Sequence, residues 1–344
     1  MIDLRSDTVT LPSKEMKEFM FNSPLGDDVF GEDPSINALQ KKASLLFEKE
    51  KALFVPSGTM ANLVSVLTHC NRGDEILLGN KSHIFKYEAG GTSVFGGIHS
   101  HQLNNNDDGT INIDDIKQNI RDTRDDHFPS TKLLCLENTH NYCYGSAISE
   151  QYFYDVKCAI KKFNLKLHID GARIFNAATA LNCSVASLSK EADSLSFCLS
   201  KGLSCPSGSL ILGSSNFIKK AKRIRKALGG GMRQAGILAS AGIFALDNLT
   251  NQLTVDHENA LLIGKELANI KNVEIDIDKV STNLVFFYLK KDDLSDETFI
   301  NKLLENKIKI DSKGNRKFRI ATHYGFTTDS INQVIDTIKT ILNN

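Results

Sequence analysis

Residues 165–173 read Leu-Lys-Leu-His-Ile-Asp-Gly-Ala-Arg, and this stretch decides the predicted fold. Apolar side chains at 165, 167 and 169 alternate with polar ones, which is typical of a strand, and an acid stands where the strand should end. Ligands of doubly wound sheets bind outside the carboxyl ends of the strands, so Asp170 and Arg173 should face a site. The alternative is that these two residues pair with each other as a structural ion pair.

Further short apolar runs lie on both sides of this stretch and alternate with helical patterns. Strands and helices in alternation imply a mainly parallel sheet with helices on both faces, so we predict an α/β fold. The predicted strands are 51–55, 75–78, 133–137, 166–170, 194–199 and 209–212, and helices are predicted at 60–67 and 151–163.

A change in the sequence pattern near residues 247–256 predicts a domain boundary. We therefore expect a large domain of residues 1–250, which includes an N-terminal arm, and a small C-terminal α/β domain of residues 251–344. Within the small domain the predicted strands are 273–277, 283–289 and 317–322, and the predicted helices are 297–305 and 330–342.

The composition is that of an ordinary globular protein. The 344 residues include 41 Lys+Arg and 41 Asp+Glu, so the formal net charge is zero. This balance argues against binding of nucleic acid or of an anionic membrane by bulk electrostatics. No uniformly apolar stretch could span a membrane, and the first residues lack the apolar run of a secretory signal. The seven cysteines never form C-x-x-C, which favours reduced thiols and a cytoplasmic location.

Ser57-Gly58-Thr59 follows one predicted strand and opens a helix. A helix N-terminus offers unpaired amides and a partial positive charge, Gly58 allows close approach, and Thr59 adds a hydroxyl, which together suit a phosphate. The alternative is a simple helix cap.

Lys201 is the single charged residue between Ser194 and Ser215. Apolar surroundings disfavour the charged form of a lysine and make its amine a nucleophile toward an aldehyde, although most lysines instead extend to the surface. A phosphate cradle, an acid at a strand end and an isolated lysine together predict pyridoxal 5'-phosphate. That cofactor needs a phosphate anchor, a carboxylate for its ring nitrogen and a lysine for its aldehyde.

Seven segments, in order along the chain, also resemble a known family. They are 3–10 (DLRSDTVT), 26–34 (GDDVFGEDP), 56–62 (PSGTMAN), 137–141 (ENTHN), 168–173 (HIDGAR), 199–203 (LSKGL) and 229–234 (GGGMRQ). The sequence resembles the low-specificity L-threonine aldolases, which are pyridoxal-phosphate enzymes of the aspartate-aminotransferase-like fold, fold type I. The resemblance implies a large domain with a mainly parallel sheet between helices and a smaller C-terminal α/β domain.

The resemblance also implies the cofactor contacts. Lys201 would carry the cofactor, Asp170 would face its ring nitrogen, and His83 would stack on its ring. Ser57, Gly58 and Thr59 would hold the phosphate.

Further residues are implied for the substrate. Ser6, Arg173 and Arg319 would receive its carboxylate, with Arg316 as the alternative to Arg319 because it lies three positions earlier in the same predicted strand. Arg173 would also contact the cofactor.

His127 matches the position of a second active-site histidine. Lys226, on the substrate, and Arg233, on the cofactor, match basic residues that approach the site from a neighbouring subunit. The expected assembly is a homotetramer, a dimer of dimers with its active sites at the dimer interface.

The activity that the resemblance implies is retro-aldol cleavage of threonine or allo-threonine to glycine and an aldehyde. Breaking the Cα–Cβ bond requires a general base for the β-hydroxyl proton, and His83, His127 and a water all stay open. The rival enzyme hypothesis is β-elimination on the same fold. A second rival is a non-catalytic binding protein, which the presence of both Asp170 and Lys201 disfavours.

Two other patterns have a simpler interpretation. The basic run 219–226 carries apolar residues at helical spacing and has no interleaved aromatics, so we expect a solvated helix face and no nucleic-acid partner. His99 and His101 share one side of an extended segment without a third ligand nearby in sequence, so we expect no metal site.

Overall fold

The computed structural model describes residues 1–291 and 293–343. Its strands are β1 (Ile2–Asp3), β2 (Lys51–Val55), β3 (Glu75–Gly79), β4 (His99–Leu103), β5 (Thr131–Glu137), β6 (Lys166–Asp170), β7 (Ser194–Cys198), β8 (Ser209–Gly213), β9 (Val273–Glu274), β10 (Leu284–Leu289), β11 (Ile308–Lys309), β12 (Asp311–Gly314) and β13 (Lys317–Ala321). Its α-helices are α1 (Lys14–Phe21), α2 (Pro34–Leu46), α3 (Gly58–His69), α4 (His83–Lys86), α5 (Gly91–Gly96), α6 (Ile113–Gln118), α7 (Glu150–Ile160), α8 (Ile174–Leu181), α9 (Val185–Ser189), α10 (Ser215–Ala227), α11 (Gly236–Asn248), α12 (Gln252–Ala268), α13 (Asp296–Glu305) and α14 (Thr328–Asn343). No helix among the described residues is both long enough and apolar enough to cross a membrane.

The larger sheet has seven strands in the order β2-β8-β7-β6-β5-β3-β4. The five strands from β7 to β4 in this order pair in parallel, whereas β8 is antiparallel to both of its neighbours. The mainly parallel sheet predicted from the sequence is therefore confirmed. Strand β4 was not predicted, because its sequence His-Ser-His-Gln-Leu is polar and only its last residue is buried at the sheet edge.

Helices cover both faces of this sheet because its inner strands are apolar on both faces. On β5, Leu134 and Leu136 belong to the main core, which also contains Val156 of α7. The intervening Leu133 packs on the other face in a cluster with Val66 of α3. Near-continuous burial along β5, β6 and β7 follows from this double cover.

A second, antiparallel sheet with the order β12-β13-β10-β9 lies in the C-terminal part of the chain. Its core includes Ile263 of α12, Phe299 of α13 and Ile338 of α14. The N-terminal residues correct one expectation, since β1 pairs with β11 and Leu4 is buried in this second core. The arm therefore joins the C-terminal part rather than the large sheet, and the division at residue 250 stays a prediction.

The carboxyl ends of the parallel strands position the site. Strand β5 ends at Glu137, β6 ends at Asp170, and β7 ends at Cys198, three residues before Lys201. Because these strands are parallel neighbours, their ends meet at one edge of the sheet. The segments that follow the three strands therefore converge there.

Candidate active site

Asp170 is buried at the end of β6, where its carboxylate is held by neutral donors. The Nδ2 of Asn62 donates to Oδ2 at 2.8 Å, and the backbone N–H of Ala172 donates to Oδ1 at 3.1 Å. Arg173 pairs with a different acid, so the structural Asp170–Arg173 ion pair considered as an alternative is wrong. The geometry leaves Asp170 facing the carboxyl edge of the sheet.

His83 lies beside Asp170 and is oriented by Glu88. The Nδ1 of His83 lies 2.8 Å from Oε1 of Glu88, and Asn62 donates to the same oxygen at 2.8 Å. Burial alone would lower the pKa of His83, but the hydrogen bond to Glu88 and the charge of Asp170 outweigh it and raise that pKa. Burial raises the pKa of Glu88.

The polar atoms of His83, Glu88 and Asp170 lie within 4.8 Å of one another, and among the described residues this is the one group with metal-ligand spacing. Asn62 donates hydrogen bonds to both carboxylates of this group, so its members already form one hydrogen-bonded network. The sequence did not identify Asn62 and Glu88 as site residues. Asn62 lies inside the segment 56–62 quoted for the family resemblance, whereas no pattern marks Glu88.

Arg173 is buried and forms a two-pronged ion pair with Asp7. Its Nε and Nη2 donate to the Asp7 carboxylate at 2.7 and 2.6 Å, and its Nη1 donates to Asn141 at 3.2 Å. Burial would raise the pKa of Asp7, but the charge and hydrogen bonds of Arg173 overcome burial and hold that pKa well below its usual range. The sequence analysis missed Asp7, although it adjoins the predicted Ser6.

Arg319 is the second buried arginine. Its Nη1 donates to Asn141 at 2.8 Å and its Nη2 to the Arg5 carbonyl at 2.8 Å, while its Nε is buried without a partner among the described residues. Burial and the neighbouring Arg173 lower the pKa of Arg319. Arg316 points elsewhere and donates to the carbonyls of Leu289, Leu294 and Lys291. The geometry therefore favours Arg319 over Arg316.

These groups converge on a cavity of about 210 Å³. Its lining residues are Ser6, Thr8, His83, Tyr87, Asn141, Arg173, Lys201, Lys313 and Arg319. The amine of Lys201 thus shares one small space with two arginines and a histidine. A larger cavity of about 590 Å³ lies at the opposite edge of the sheet, beside His69 and Asp193.

The first turn of α3 fits a phosphate. Ser57 caps the helix by accepting the Met60 amide at 3.2 Å, whereas the amides of Gly58 and Thr59 have no acceptor inside the helix. A Cβ at position 58 would lie 2.7 Å from Cys198 Sγ, so glycine is required for close packing here. The same Cβ would lie 3.7 Å from the buried hydroxyl of Ser209, which has no hydrogen-bond partner among the described residues. Amides and a hydroxyl here, with Lys201 and Asp170, fit pyridoxal 5'-phosphate.

Besides Asp170 and the turn at 57–59, three predicted site residues do not line this cavity, namely His127, Lys226 and Arg233. His127 is 91% exposed and bonded to Asp125 in the segment that leads into the amino end of β5, the edge opposite Asp170. His127 therefore lies outside the site of its own chain, and its catalytic role stays a prediction. Lys226 lines a separate surface cavity, and the exposed Arg233 pairs with Asp27 at 3.0 Å.

The structure also shows the surroundings of the two patterns that had a simpler interpretation. Helix α10 buries Phe217 and Ala221, but its basic run departs from a fully solvated face, since the buried Arg225 donates to Asp28 at 2.7 Å. His99 and His101 each lie 3.6 Å from the buried Glu75 carboxylate. The guanidinium of Arg121 accompanies them, 3.4 Å from Glu75 and 3.2 Å from His101.

The fold and the arrangement of lysine, acid and phosphate cradle define the class of fold-type-I pyridoxal-phosphate enzymes. A threonine aldolase from Leishmania major has a TM-score of 0.83 at 18% identity, covering 99% of this chain and 100% of that one. A putative L-allo-threonine aldolase from Listeria monocytogenes has a TM-score of 0.78 at 17% identity, covering 94% of this chain and 92% of that one. These likenesses confirm the predicted fold.

Comparison of sequences gives the family. A model described as beta-eliminating lyase matches residues 3–292. Low-specificity L-threonine aldolase 1 of Arabidopsis thaliana is 44% identical over 337 residues, which cover 97% of this chain and 94% of that protein. The low-specificity L-threonine aldolase of Escherichia coli K12 is 47% identical over 286 residues, covering 83% and 84%. The chain belongs to the beta-eliminating lyase family and, within it, to the low-specificity L-threonine aldolases.

The buried Asp7–Arg173 pair yields a stability prediction. Asp7→Ala leaves Arg173 buried without its partner, and we expect the free energy of unfolding to fall by about 3–5 kcal/mol. Because the pKa of Asp7 is lowered in the folded state, this contribution is present above the ordinary carboxyl pKa of about 4 and is lost as the pH falls. Urea unfolding of the cofactor-free protein measures it.

Asp3→Ala is the control, since Asp3 pairs with the half-exposed Arg5 and its loss should cost about 0–1 kcal/mol. Equal losses in the two variants would contradict the structural role assigned to Asp7.

Proposed function

We propose that this chain cleaves β-hydroxy-α-amino acids, such as L-threonine and L-allo-threonine, to glycine and an aldehyde, with pyridoxal 5'-phosphate as cofactor. With threonine the aldehyde is acetaldehyde. The observation that carries the proposal is the single cavity that combines the amine of Lys201, the imidazole of His83 and two buried arginines. Membership in the low-specificity L-threonine aldolases supports the same substrate class.

The two arginines and Ser6 bind the substrate carboxylate. Arg173 is fixed by Asp7 and Asn141, and Arg319 by Asn141 and the Arg5 carbonyl, so both guanidinium groups are rigid before substrate arrives. A carboxylate held at two fixed points cannot rotate. This fixes the orientation of the Cα substituents and selects the Cα–Cβ bond for cleavage.

The cofactor would be held at both ends by this chain. Lys201 would bind its aldehyde, the first turn of α3 would bind its phosphate, and the Asp170 carboxylate would accept a hydrogen bond from its protonated ring nitrogen. When bound, the cofactor supplies an electron sink for the charge that develops on Cα. The Asn62 and Ala172 donors fix the orientation of the Asp170 carboxylate that would face that ring nitrogen.

His83 is the residue placed to accept the β-hydroxyl proton. Its Nδ1 is directed to Glu88, which leaves Nε2 as the nitrogen available to the cavity. His83 can take the proton directly or through a water. Of the two predicted histidines, His83 alone lines the cavity described for one chain.

A neighbouring subunit is proposed to complete the site in a homotetramer, with Lys226 and Arg233 as its contributions. Two features support this. The phosphate-binding turn at Ser57 and Thr59 is exposed in the isolated chain, and large apolar side chains near the N-terminus are exposed as well. These exposed side chains are Leu11, Phe21, Leu25 and Phe30. The seven free thiols support the proposed cytoplasmic location.

Product analysis separates aldol cleavage from β-elimination, the chemistry for which the matching family is named. Incubation with threonine should yield glycine and acetaldehyde in equal amounts, whereas a 2-oxo acid with ammonia would show elimination instead. Lys201→Ala should abolish glycine formation and the visible absorbance of the bound cofactor, because no amine remains to bind the aldehyde. A variant that keeps this absorbance would contradict the assignment of Lys201.

The hydrogen bond from His83 to Glu88 predicts a pH effect. If neutral His83 is the base, kcat/KM should rise with pH through a raised pKa, above the ordinary 6.5. Glu88→Gln removes a negative charge beside the ring, so the pKa of His83 should fall and the rising limb should move to lower pH. Glu50→Gln, whose carboxylate accepts the Ser215 amide far from the site, is the control. If kcat/KM of Glu88→Gln rises at the same pH as that of the native protein, the assignment of His83 as the base is contradicted.

Sharing of sites between subunits can be tested by mixing. Lys201→Ala and Arg233→Ala should each be inactive alone. Unfolding and refolding the two together should restore up to about one quarter of the native activity, since half of the dimers are mixed and one of their two sites is intact. No recovery, with mixed dimers demonstrated by mass spectrometry, would place Arg233 outside the neighbour's site.

A further inference from the structure

A continuous row of hydrogen bonds runs along the large sheet from one edge to the other. It begins at His69, beside the cavity of about 590 Å³, and ends at Asp170. Nε2 of His69 lies 2.8 Å from Ser194 Oγ, and that oxygen lies 2.8 Å from Nδ1 of His168. Nε2 of His168 lies 3.2 Å from Oδ1 of Asn62, whose Nδ2 donates to Asp170 at 2.8 Å. The row joins α3, β7 and β6.

The end at Asn62 fixes the direction of every donor. Its two Nδ2 hydrogens face the carboxylates of Asp170 and Glu88, so its Oδ1 must accept, from Ser196 at 2.9 Å and from His168. A flipped amide would place its oxygen against two carboxylates.

His168 therefore carries its proton on Nε2, and its Nδ1 accepts from the Ser194 hydroxyl. That hydroxyl oxygen in turn accepts from Nε2–H of His69. Every bond in the row points its donor toward Asp170.

Both histidines stay neutral at physiological pH. The charge of Asp170 would raise the pKa of His168, but burial outweighs it and lowers that pKa to about 4. Burial also lowers the pKa of His69 to about 3. The charged groups that face His69 are Asp193, Lys166 and Lys220, besides neutral His168. A neutral imidazole with one donor and one acceptor nitrogen is the form that the row requires.

We propose that His168, backed by Ser194 and His69, is a positioning residue that locks the Asn62 amide and thereby holds Asp170 against the cofactor ring nitrogen. The proposal rests on the proposed function, since it gives this row its purpose. Asn62 lies on α3, whose first turn binds the phosphate, and Asp170 ends β6. The lock therefore fixes the phosphate end and the ring-nitrogen end of the cofactor site relative to each other.

Three variants test this positioning role. His168→Leu removes both nitrogens, whereas His168→Gln keeps an amide donor where Nε2 lies and can still bond to Asn62. Ser194→Ala breaks the row one step further from the cofactor. Ser189→Ala is the matched control, because within the described part of the chain its buried hydroxyl bonds only to the Ala186 carbonyl.

The readouts are the dissociation constant of pyridoxal 5'-phosphate, followed by cofactor fluorescence in a chain that contains no tryptophan, and kcat and KM for threonine. His168→Leu should raise the cofactor dissociation constant and lower kcat, each about ten-fold, the effect of losing one bond in a charged network. KM should stay unchanged, because the arginines that bind the carboxylate are untouched. His168→Gln should recover most of both losses, Ser194→Ala should show smaller losses, and Ser189→Ala none.

Equal impairment of His168→Gln and His168→Leu would reduce His168 to a packing residue and overturn the proposal, as would native behaviour of both. A measurement independent of the reaction is the ¹⁵N shift of His168 in cofactor-free protein. It should report Nε2–H, without titration, between about pH 5 and 8. The Nδ1–H form would contradict the proposal. If threonine is not cleaved by the native protein, the proposed function fails, while cofactor affinity and the ¹⁵N shift still decide the role of His168.

Discussion

The buried ion pair between Asp7 and Arg173 connects the three parts of the chain that build the site. Asp7 belongs to the N-terminal arm, Arg173 follows the end of β6 in the large sheet, and Asn283 of the C-terminal part donates to the same carboxylate at 3.3 Å. Two guanidinium groups this close would repel each other and lose hydration if left alone, so Arg173 and Arg319 can share a cavity only because Asp7 and Asp311 balance them. The cationic cavity thus depends on the two acids that pair with its arginines, Asp7 and Asp311, within a chain whose net charge is zero.

The fold was predictable because its strongest signals are local. Strands β2 and β6 begin and end at the predicted residues, since each is an apolar run followed by turn or acid residues. Strand β4 was missed because an edge strand needs no apolar pattern, and its pairing with β3 is decided by contacts distant in sequence. The docking of the N-terminal residues onto β11 was missed for the same reason, because two residues carry no periodicity.

The candidate site was predictable where one residue type serves one chemical need. Asp170, Lys201 and the turn at Gly58 stand out because an acid, a lone lysine and a glycine are informative after apolar strands. The residues that orient them were not visible, because Asp7, Asn62 and Glu88 act through partners far away in the sequence. His127 shows the converse, since a match to a family position does not place a side chain in the cavity of one chain. Sequence thus identified the groups proposed to touch the cofactor and substrate better than the groups that hold those side chains in place.

The central claim is that Lys201 carries the cofactor in this cavity, and borohydride reduction tests it most directly. Lys313 lines the same cavity and pairs with Asp311, so the cavity contains a second amine that could react with the cofactor aldehyde in place of Lys201. After reduction of the protein with pyridoxal 5'-phosphate bound and peptide mapping by mass spectrometry, the added mass should lie on the peptide that contains Lys201. Added mass on the Lys313 peptide, or on neither, would contradict the account.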